Sequence, residues 1–299
     1  MPNTSYRCGR VAIVGRPNVG KSTLLNRLVG QKLAITSHKP QTTRHTLLGI
    51  KTRPEGQILY LDTPGIHQRG DKALNRYLNR TARSALNEVE LILFLVEEND
   101  WRDEDAVILE DLAKAGIPCI AVVTKIDRLV DKTRLLPFLQ ALLQRHPFLE
   151  LIPVSARKNT QIEVLEQRIL AALPEGPAFY PEDQLSDRPE RFFAAELLRE
   201  QLTRRYAQEL PYQLSVEIER FEEEPGLYRI HALIWVERPS QQGILIGKGG
   251  LALKETAQAA RIAMERFFDC KVYLEVWVKV KESWSSDEQA LGRLGYGEP

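Results

Sequence analysis

Eight consecutive residues near the N-terminus, Gly15-Arg16-Pro17-Asn18-Val19-Gly20-Lys21-Ser22, match the pattern GxxxxGK[ST]. The chemistry explains the residue types. Glycines let backbone N–H groups curl around a β-phosphate, and the N-terminus of the helix that follows adds its positive dipole end. Lys21 is placed to reach the β- and γ-phosphates, and the Ser22 hydroxyl to sit on Mg²⁺. Thr23 carries the loop into that helix. A second glycine loop, Gly247-Lys248-Gly249-Gly250, stands far downstream. It raises the question of whether one chain holds two nucleotides.

The first loop has the company it needs. Asp62-Thr63-Pro64-Gly65 closes an apolar run: the Asp62 carboxylate can hold Mg²⁺ through water, and the Gly65 amide can reach a γ-phosphate. Between them lies KPQTTRHTLLG, residues 39–49, read as a polar switch loop in which Thr42 or Thr43 caps Mg²⁺ when the γ-phosphate is present. Lys21, Thr42 or Thr43, and Gly65 are thus the candidate catalytic groups. Thr124-Lys125-Ile126-Asp127 and Ser155-Ala156-Arg157 close two further runs. A carboxylate at Asp127 accepts in pairs, and guanine presents two adjacent donors where adenine has none. A site built that way discriminates by ~10⁴-fold or more, which argues for GTP over ATP. The Lys125 stem would pack along the base, and the Ser155–Ala156 backbone would meet the guanine oxygen.

The second loop lacks this company. Lys248 is followed by glycine instead of a hydroxyl residue, the preceding ERPSQQG is polar, and no downstream Asp supplies a metal or base contact. Bare glycines have another use, which is to let a sugar–phosphate backbone come close. Gly247 to Gly250 fit the GxxG loop that grips about four nucleotides of single strand. Lys248 supplies charge, Ile244, Leu245, Ile246 and Leu251 would floor a groove under unstacked bases, and Lys254 on the next helix joins the RNA-binding set. Residues 241–281 hold seven Lys/Arg against four Asp/Glu, a basic patch in an acidic half. Lys279, Lys281 and Trp284 are accessory candidates, Trp284 equally readable as packing.

These motifs need strand ends to position them, and the first half supplies them. VAIVG (11–15), QILYLD (57–62), LILFLVE (91–97), PCIAVVT (118–124) and LELIPVS (149–155) are short apolar runs. Helical stretches are expected near 71–87, 103–115, 131–145 and 160–172. That alternation predicts an α/β fold with a doubly covered, mostly parallel sheet. The proline-bearing LPEGPAFYPEDQLSDRP (173–189) reads as a linker. After it come a helix at 190–210, a hairpin from 212–221 and 227–238, the glycine loop, a helix with Leu253, Ala257, Ala260, Met264 and Phe267 on one face, and a strand over 271–281. This predicts a smaller α+β domain. The boundaries are 1–174, a linker at 175–189, and 190–299.

Taken in order, GRPNVGKS, QTTRH, DTPG and TKID resemble the translation-factor-like GTPases, and the series is similar to the Era branch, with the usual NKxD replaced by TKxD. Thr124 keeps a hydroxyl and loses the amide. The second half resembles a type II KH domain, and the pair is similar to Era over nearly the full length. The resemblance implies a GTP-hydrolysing, RNA-binding protein of small ribosomal subunit assembly. Its KH domain would bind single-stranded RNA near the 3′ end of 16S rRNA, beside the anti-Shine–Dalgarno segment. GTP/GDP and Mg²⁺ are the implied cofactors, with K⁺ beside the phosphates at Asn18, and the implied setting is a cytoplasmic monomer with peripheral inner-membrane contact. Ile66 stands where Ras-like enzymes carry a water-orienting Gln. Unassisted Ras turns over at only ~3–5 × 10⁻⁴ s⁻¹ even with it, so intrinsic hydrolysis is expected to be slow. Two other readings are a GTPase of RNA modification, which needs a chemical constellation around Cys270, and a GTP-stabilised RNA-binding scaffold.

Bulk numbers agree with this outline. At 299 residues, 43% hydrophobic and 27% charged, the chain has the length and composition of two globular domains. Residues 1–180 carry 25 Lys/Arg against 19 Asp/Glu, and residues 181–299 carry 16 against 21, so RNA binding must rest on a local patch. Cys8, Cys119 and Cys270 have neither metal-ligand spacing nor an even count for disulfides.

Overall fold

The computed structural model describes residues 6–37, 39, 42–64, 74, 77–78, 88–98, 100–206, 210–282, 284–287 and 291–292. Packing divides these into two units. The first holds the residues up to 34 and those from 43 to 187 apart from 74 and 77; the second holds 188 onward with the short segments around 35–42 and 74–77.

The first unit is built on strands β1 (Arg7–Val14), β2 (Leu47–Arg53), β3 (Gly56–Asp62), β4 (Leu91–Glu97), β5 (Cys119–Thr124) and β6 (Glu150–Pro153) in the order β2-β3-β1-β4-β5-β6. Every neighbouring pair is parallel except β2 with β3. Six of the seven β4 residues and all six of β5 are buried, which is why these strands read as unbroken apolar runs and not as alternating ones. Helices α1 (Lys21–Val29), α2 (Asp103–Ala115) and α3 (Leu135–Leu143) lie between strands, and α4 (Ile162–Ala172) follows the last of them. The order reverses at β1, and the crevice beyond the carboxyl ends of strands at such a point is where ligands bind in open α/β sheets.

Two expectations change here, for the end of the switch loop and for the linker. The end of the expected switch loop, Leu47 to Gly49, is already strand: β2 runs back along β3 through the turn at Pro54 and Glu55. The helix expected at 71–87 lies almost entirely outside the described residues. The proline-bearing stretch from 175 to 187 packs on the first unit. Gln57 Oε1 accepts from the Phe179 and Tyr180 amides at 2.9 and 3.0 Å, Ile50 N donates to Leu185 O at 2.8 Å, and Ser186 Oγ donates to Leu48 O at 2.6 Å. Proline cannot continue a helix, and the extended chain instead caps the exposed edge of β2.

The second unit runs α5 (Glu190–Arg205), β7 (Leu214–Glu224), β8 (Leu227–Val236), α6 (Pro239–Ile246), α7 (Leu251–Phe268), β9 (Lys271–Val280). β7 and β8 form the expected hairpin, and β9 lies parallel to β8. Leu197, Leu198 and Leu202 of α5, Ala260 and Met264 of α7, and Ile230, Ala232 and Ile234 of β8 share one core. Val272, Leu274, Val276, Val278 and Val280 pack toward it from alternate positions of β9. Helix α6 was not expected: Pro239 opens it, where a missing N–H costs nothing, and Gln241 Oε1 accepts from the Glu237 and Arg238 amides at 2.9 and 3.0 Å.

Candidate functional site

Between β1 and α1 the phosphate loop has the shape its residues demand. A Cβ on Gly15 would lie 2.6 Å from the Leu95 carbonyl, so no larger residue fits there. α1 opens at Lys21 after Gly20 with no side chain capping its amides, which leaves them for an anion. Lys21 is buried, its Nζ donating to Gly15 O at 2.9 Å and Arg16 O at 3.0 Å. Pro17 is half-buried and Val19 buried, while Asn18 is exposed at a φ of 65°.

Burial pushes the Lys21 ammonium down to about 8, against the attraction of Asp62. The sign follows from linkage. Burial penalises the charged form, so the nucleotide-free protein gains stability from this group as pH rises from about 8 to 10.5. Phosphate restores the proton. Affinity for GDP is therefore expected to fall by up to about tenfold per pH unit above the free-state value, with proton uptake on binding. Calorimetric titration in two buffers of different ionisation enthalpy measures that uptake.

Beside Lys21, three oxygens converge. Ser22 Oγ donates to Asp62 Oδ2 at 2.8 Å, Thr43 Oγ1 donates to the same oxygen at 3.2 Å, and the two hydroxyls are 2.9 Å apart. Thr42, the other candidate, is turned away: its Oγ1 donates to Lys39 O at 2.6 Å. The structure thus brings Thr43 to the metal-type cluster and not Thr42. Asp62 is fully buried, its Oδ1 has no hydrogen-bond partner, and desolvation raises its carboxyl despite Lys21 nearby. A buried, orphaned carboxylate oxygen beside two hydroxyls fits a hard divalent cation such as Mg²⁺. Thr63 Oγ1 donates to Ile13 O at 3.0 Å, and Pro64 is buried. Gly65 and Ile66 lie outside the described residues.

At the ends of β5 and β6 the residues expected to read the base meet. Thr124 Oγ1 reaches Val19 O at 2.6 Å and Val96 O at 3.1 Å, so the hydroxyl ties this turn to the phosphate loop without the usual amide. Lys125 holds a left-handed φ of 62° and begins a 3₁₀ turn, Ile126–Arg128. Asp127 is exposed, and its Oδ1 accepts from the buried Ser155 hydroxyl at 2.5 Å. Ala156 O accepts from Arg27 Nε of α1 at 2.8 Å, and Arg157 is exposed.

The Arg16 side chain is held behind the phosphate loop. It is only 4% exposed and lies in an acidic pocket, Nε 3.2 Å from Asp105 Oδ2 and Nη2 2.7 Å from Asp100 Oδ2. It fixes the loop from behind. Asp105 also accepts from the Arg102 amide at 3.0 Å, tying the start of α2 to the same pocket. Asp100 and Asp105 carried no motif signal in the sequence.

In the second unit, the GxxG loop joins α6 to α7. Gly247 has φ 71° and ψ −179°, a region open to glycine alone, and a Cβ there would meet Ala252 Cβ at 2.6 Å. Around Gly249 and Gly250 nothing lies within 4 Å of an added Cβ, so the loop's outer side is open. Lys248 and Lys254 are exposed, and α7 starts without a side-chain cap. The expected apolar floor divides. Ile244 and Leu251 are 58% and 59% exposed, Ile246 is half-buried, and Leu245 is fully buried because helix α6 turns it into the core. Trp284 is fully buried, its Nε1 donating to Gln213 O at 3.2 Å, so it packs and does not contact RNA. Lys279 is exposed, with Glu219 at 3.5 Å. Desolvation raises the Cys270 thiol, the opposite of what a nucleophile needs. Among the described residues no group of three His, Cys, Asp or Glu side chains could hold a metal, and no helix is long and apolar enough to cross a membrane.

Comparison with known proteins covers both units. A family model described as 50S ribosome-binding GTPase matches residues 10–125, and a KH domain model matches residues 209–285. GTPase Era of Pseudomonas aeruginosa is 54% identical over 292 residues, 98% of this chain and 96% of that protein. GTPase Era of Xylella fastidiosa is 53% identical over 291 residues, 97% and 98% of the two chains. Among solved structures, Era in complex with MgGDPNP and nucleotides 1506–1542 of 16S ribosomal RNA matches with a TM-score of 0.95 and 38% identity, over 98% of this chain and all of that one. A variant of Aquifex aeolicus Era bound to GDP·AlF₄⁻ matches with a TM-score of 0.94 and 37% identity, over the same shares.

Proposed function

The chain belongs to the Era family of GTPases, and we propose that it acts in small ribosomal subunit assembly by clamping single-stranded RNA from the 3′ end of 16S rRNA in a nucleotide-dependent way. It binds GTP and GDP and hydrolyses GTP. In this reading Lys21 and the α1 amides hold the phosphates, and Asp127, Lys125 and the Ser155–Ala156 turn read guanine. Ser22, Thr43 and Asp62 would hold Mg²⁺, which would supply positive charge to neutralise charge developing on the phosphates. The exposed Asn18 is the residue that would favour K⁺ beside the phosphates, and hydrolysis rates indistinguishable in Na⁺ and K⁺ would count against that. Work as a monomer in the cytoplasm, with peripheral membrane contact, belongs to the same proposal.

The observation that carries the RNA reading is the GxxG loop, open on its outer side and leading into an uncapped helix N-terminus flanked by Lys248 and Lys254. Backbone phosphates fit that arrangement. Gly247→Asp would clash with Ala252 and confound folding with binding, whereas Gly249→Asp puts a negative side chain into open space. Its φ of 60° is one that Asp tolerates better than most residues.

The test titrates a short strand from the 16S 3′ end into protein bound to a non-hydrolysable GTP analogue or to GDP, with a scrambled strand as control. Tighter binding of the native strand in one nucleotide state is expected, weakened at least about tenfold by Gly249→Asp through loss of a phosphate contact and added repulsion. Equal binding of both strands in both states sinks the rRNA reading.

A further inference from the structure

Glu97 ends β4 opposite Thr124 in the parallel register, so its carboxylate rises beside the base-reading turn. Three cations gather on it. Lys125 Nζ lies 2.7 Å from Oε2, Arg128 Nη1 lies 3.1 Å from Oε1, and Arg16 Nη2 lies 3.7 Å from Oε2. One oxygen is therefore shared by the lysine of the TKID turn and the arginine of the phosphate loop.

We propose that Glu97 is a positioning residue for nucleotide binding: it holds the Lys125 side chain in place beside the base. This rests on the reading of Lys125 as the residue that packs along guanine. Lys125 needs such a hold. Its left-handed backbone is unfavourable for a side-chain-bearing residue, and a four-carbon stem left loose would lose rotamer freedom on meeting the base. With Nζ anchored at 2.7 Å and only 21% of the side chain exposed, that entropy is lost before nucleotide arrives.

The role is not shared with neighbours. Arg16 keeps Asp100 and Asp105 when Glu97 loses its charge, so its place does not depend on Glu97. Arg128 is 53% exposed and its pairing is screened by water. Glu98 feels the charge of Lys125 and Arg128, but the direct 2.7 Å contact with Lys125 Nζ belongs to Glu97. The consequence of Glu97→Gln falls on Lys125.

The experiment compares wild type, Glu97→Gln, Lys125→Met and the double variant for affinity to a fluorescent GDP, for GTP turnover, and for melting of the nucleotide-free protein. Glu97→Gln is expected to weaken GDP by about tenfold, the scale of ordering one long side chain on binding, with kcat within about twofold and a lower melting temperature of the nucleotide-free protein, where the ion pairs are lost as well. Inosine diphosphate should lose as much, because a stem packs on either base. In the Lys125→Met background the same change should add nothing. Lys125→Met weakening GDP while Glu97→Gln does not, or the two losses adding in full, overturns the role assigned to Glu97 and leaves the base site standing. No loss in Lys125→Met overturns the base-site reading and Glu97's role with it.

Discussion

Asp127→Asn is expected to turn nucleotide preference from guanine to xanthine, with guanine affinity falling by ~10⁴-fold, the scale of a site whose buried polar groups are left mispaired. In the proposed base site the carboxylate would accept from the N1–H and 2-amino group of guanine together. Asparagine keeps one acceptor and presents an NH₂ where the 2-amino donor points, so two donors face each other. Xanthine carries a carbonyl at that position and accepts from the new amide. The geometry favours a clean exchange. Ser155 Oγ donates to Asp127 Oδ1 at 2.5 Å, and it can donate equally to an amide oxygen, so the side chain keeps its orientation. Asp127 is exposed, so the substitution should leave folding alone. Competition of GDP and xanthosine diphosphate for the variant measures the effect. Unchanged guanine affinity would remove Asp127 from the base site.

Much of this site was legible because its signals are short-range. The phosphate loop is eight consecutive residues between a strand and a helix, and the TKID and SAR segments follow apolar runs whose ends the sequence marks. What was not legible depends on distant partners. Arg16 sits inside the motif, yet its guanidinium is claimed by Asp100 and Asp105, more than eighty residues on. Lys125 was read as a base contact, but its anchor at Glu97 emerges only when β4 and β5 pair. Strand β2 was missed because Leu47 to Gly49 adjoins a polar, threonine-rich segment and only its antiparallel pairing with β3 reveals it. Helix α6 was hidden by Pro239 and Gly243, which read as turn residues, and with it the inward direction of Leu245. The glycines of the GxxG loop were read together as openness; Gly247 is instead required by backbone geometry and contact with Ala252, while Gly249 and Gly250 are the ones that leave space.

Thr43→Ala is expected to lower GTP hydrolysis by on the order of 10²-fold, and Thr42→Ala by no more than about twofold, as for removing one group that stabilises transition-state charge against removing none. Adjacent threonines are indistinguishable by spacing, and the hydrogen bonds separate them. Thr43 Oγ1 is 2.9 Å from Ser22 Oγ and 3.2 Å from Asp62 Oδ2, whereas Thr42 Oγ1 is engaged with Lys39 O at 2.6 Å. Asp62 and Ser22 remain in Thr43→Ala, so GDP affinity should stay near wild type while single-turnover hydrolysis falls and needs more Mg²⁺. Loss of the Thr43 hydroxyl also takes one donor from Asp62 Oδ2, whose carboxyl is already raised by burial. The shortfall should therefore deepen as pH falls, because a protonated Asp62 is a poorer cation ligand. Equal losses in the two alanine variants would mean that the switch segment rearranges before hydrolysis. A loss of GDP affinity matching the loss of hydrolysis would mean that Thr43 maintains the phosphate site itself and does not respond to the γ-phosphate.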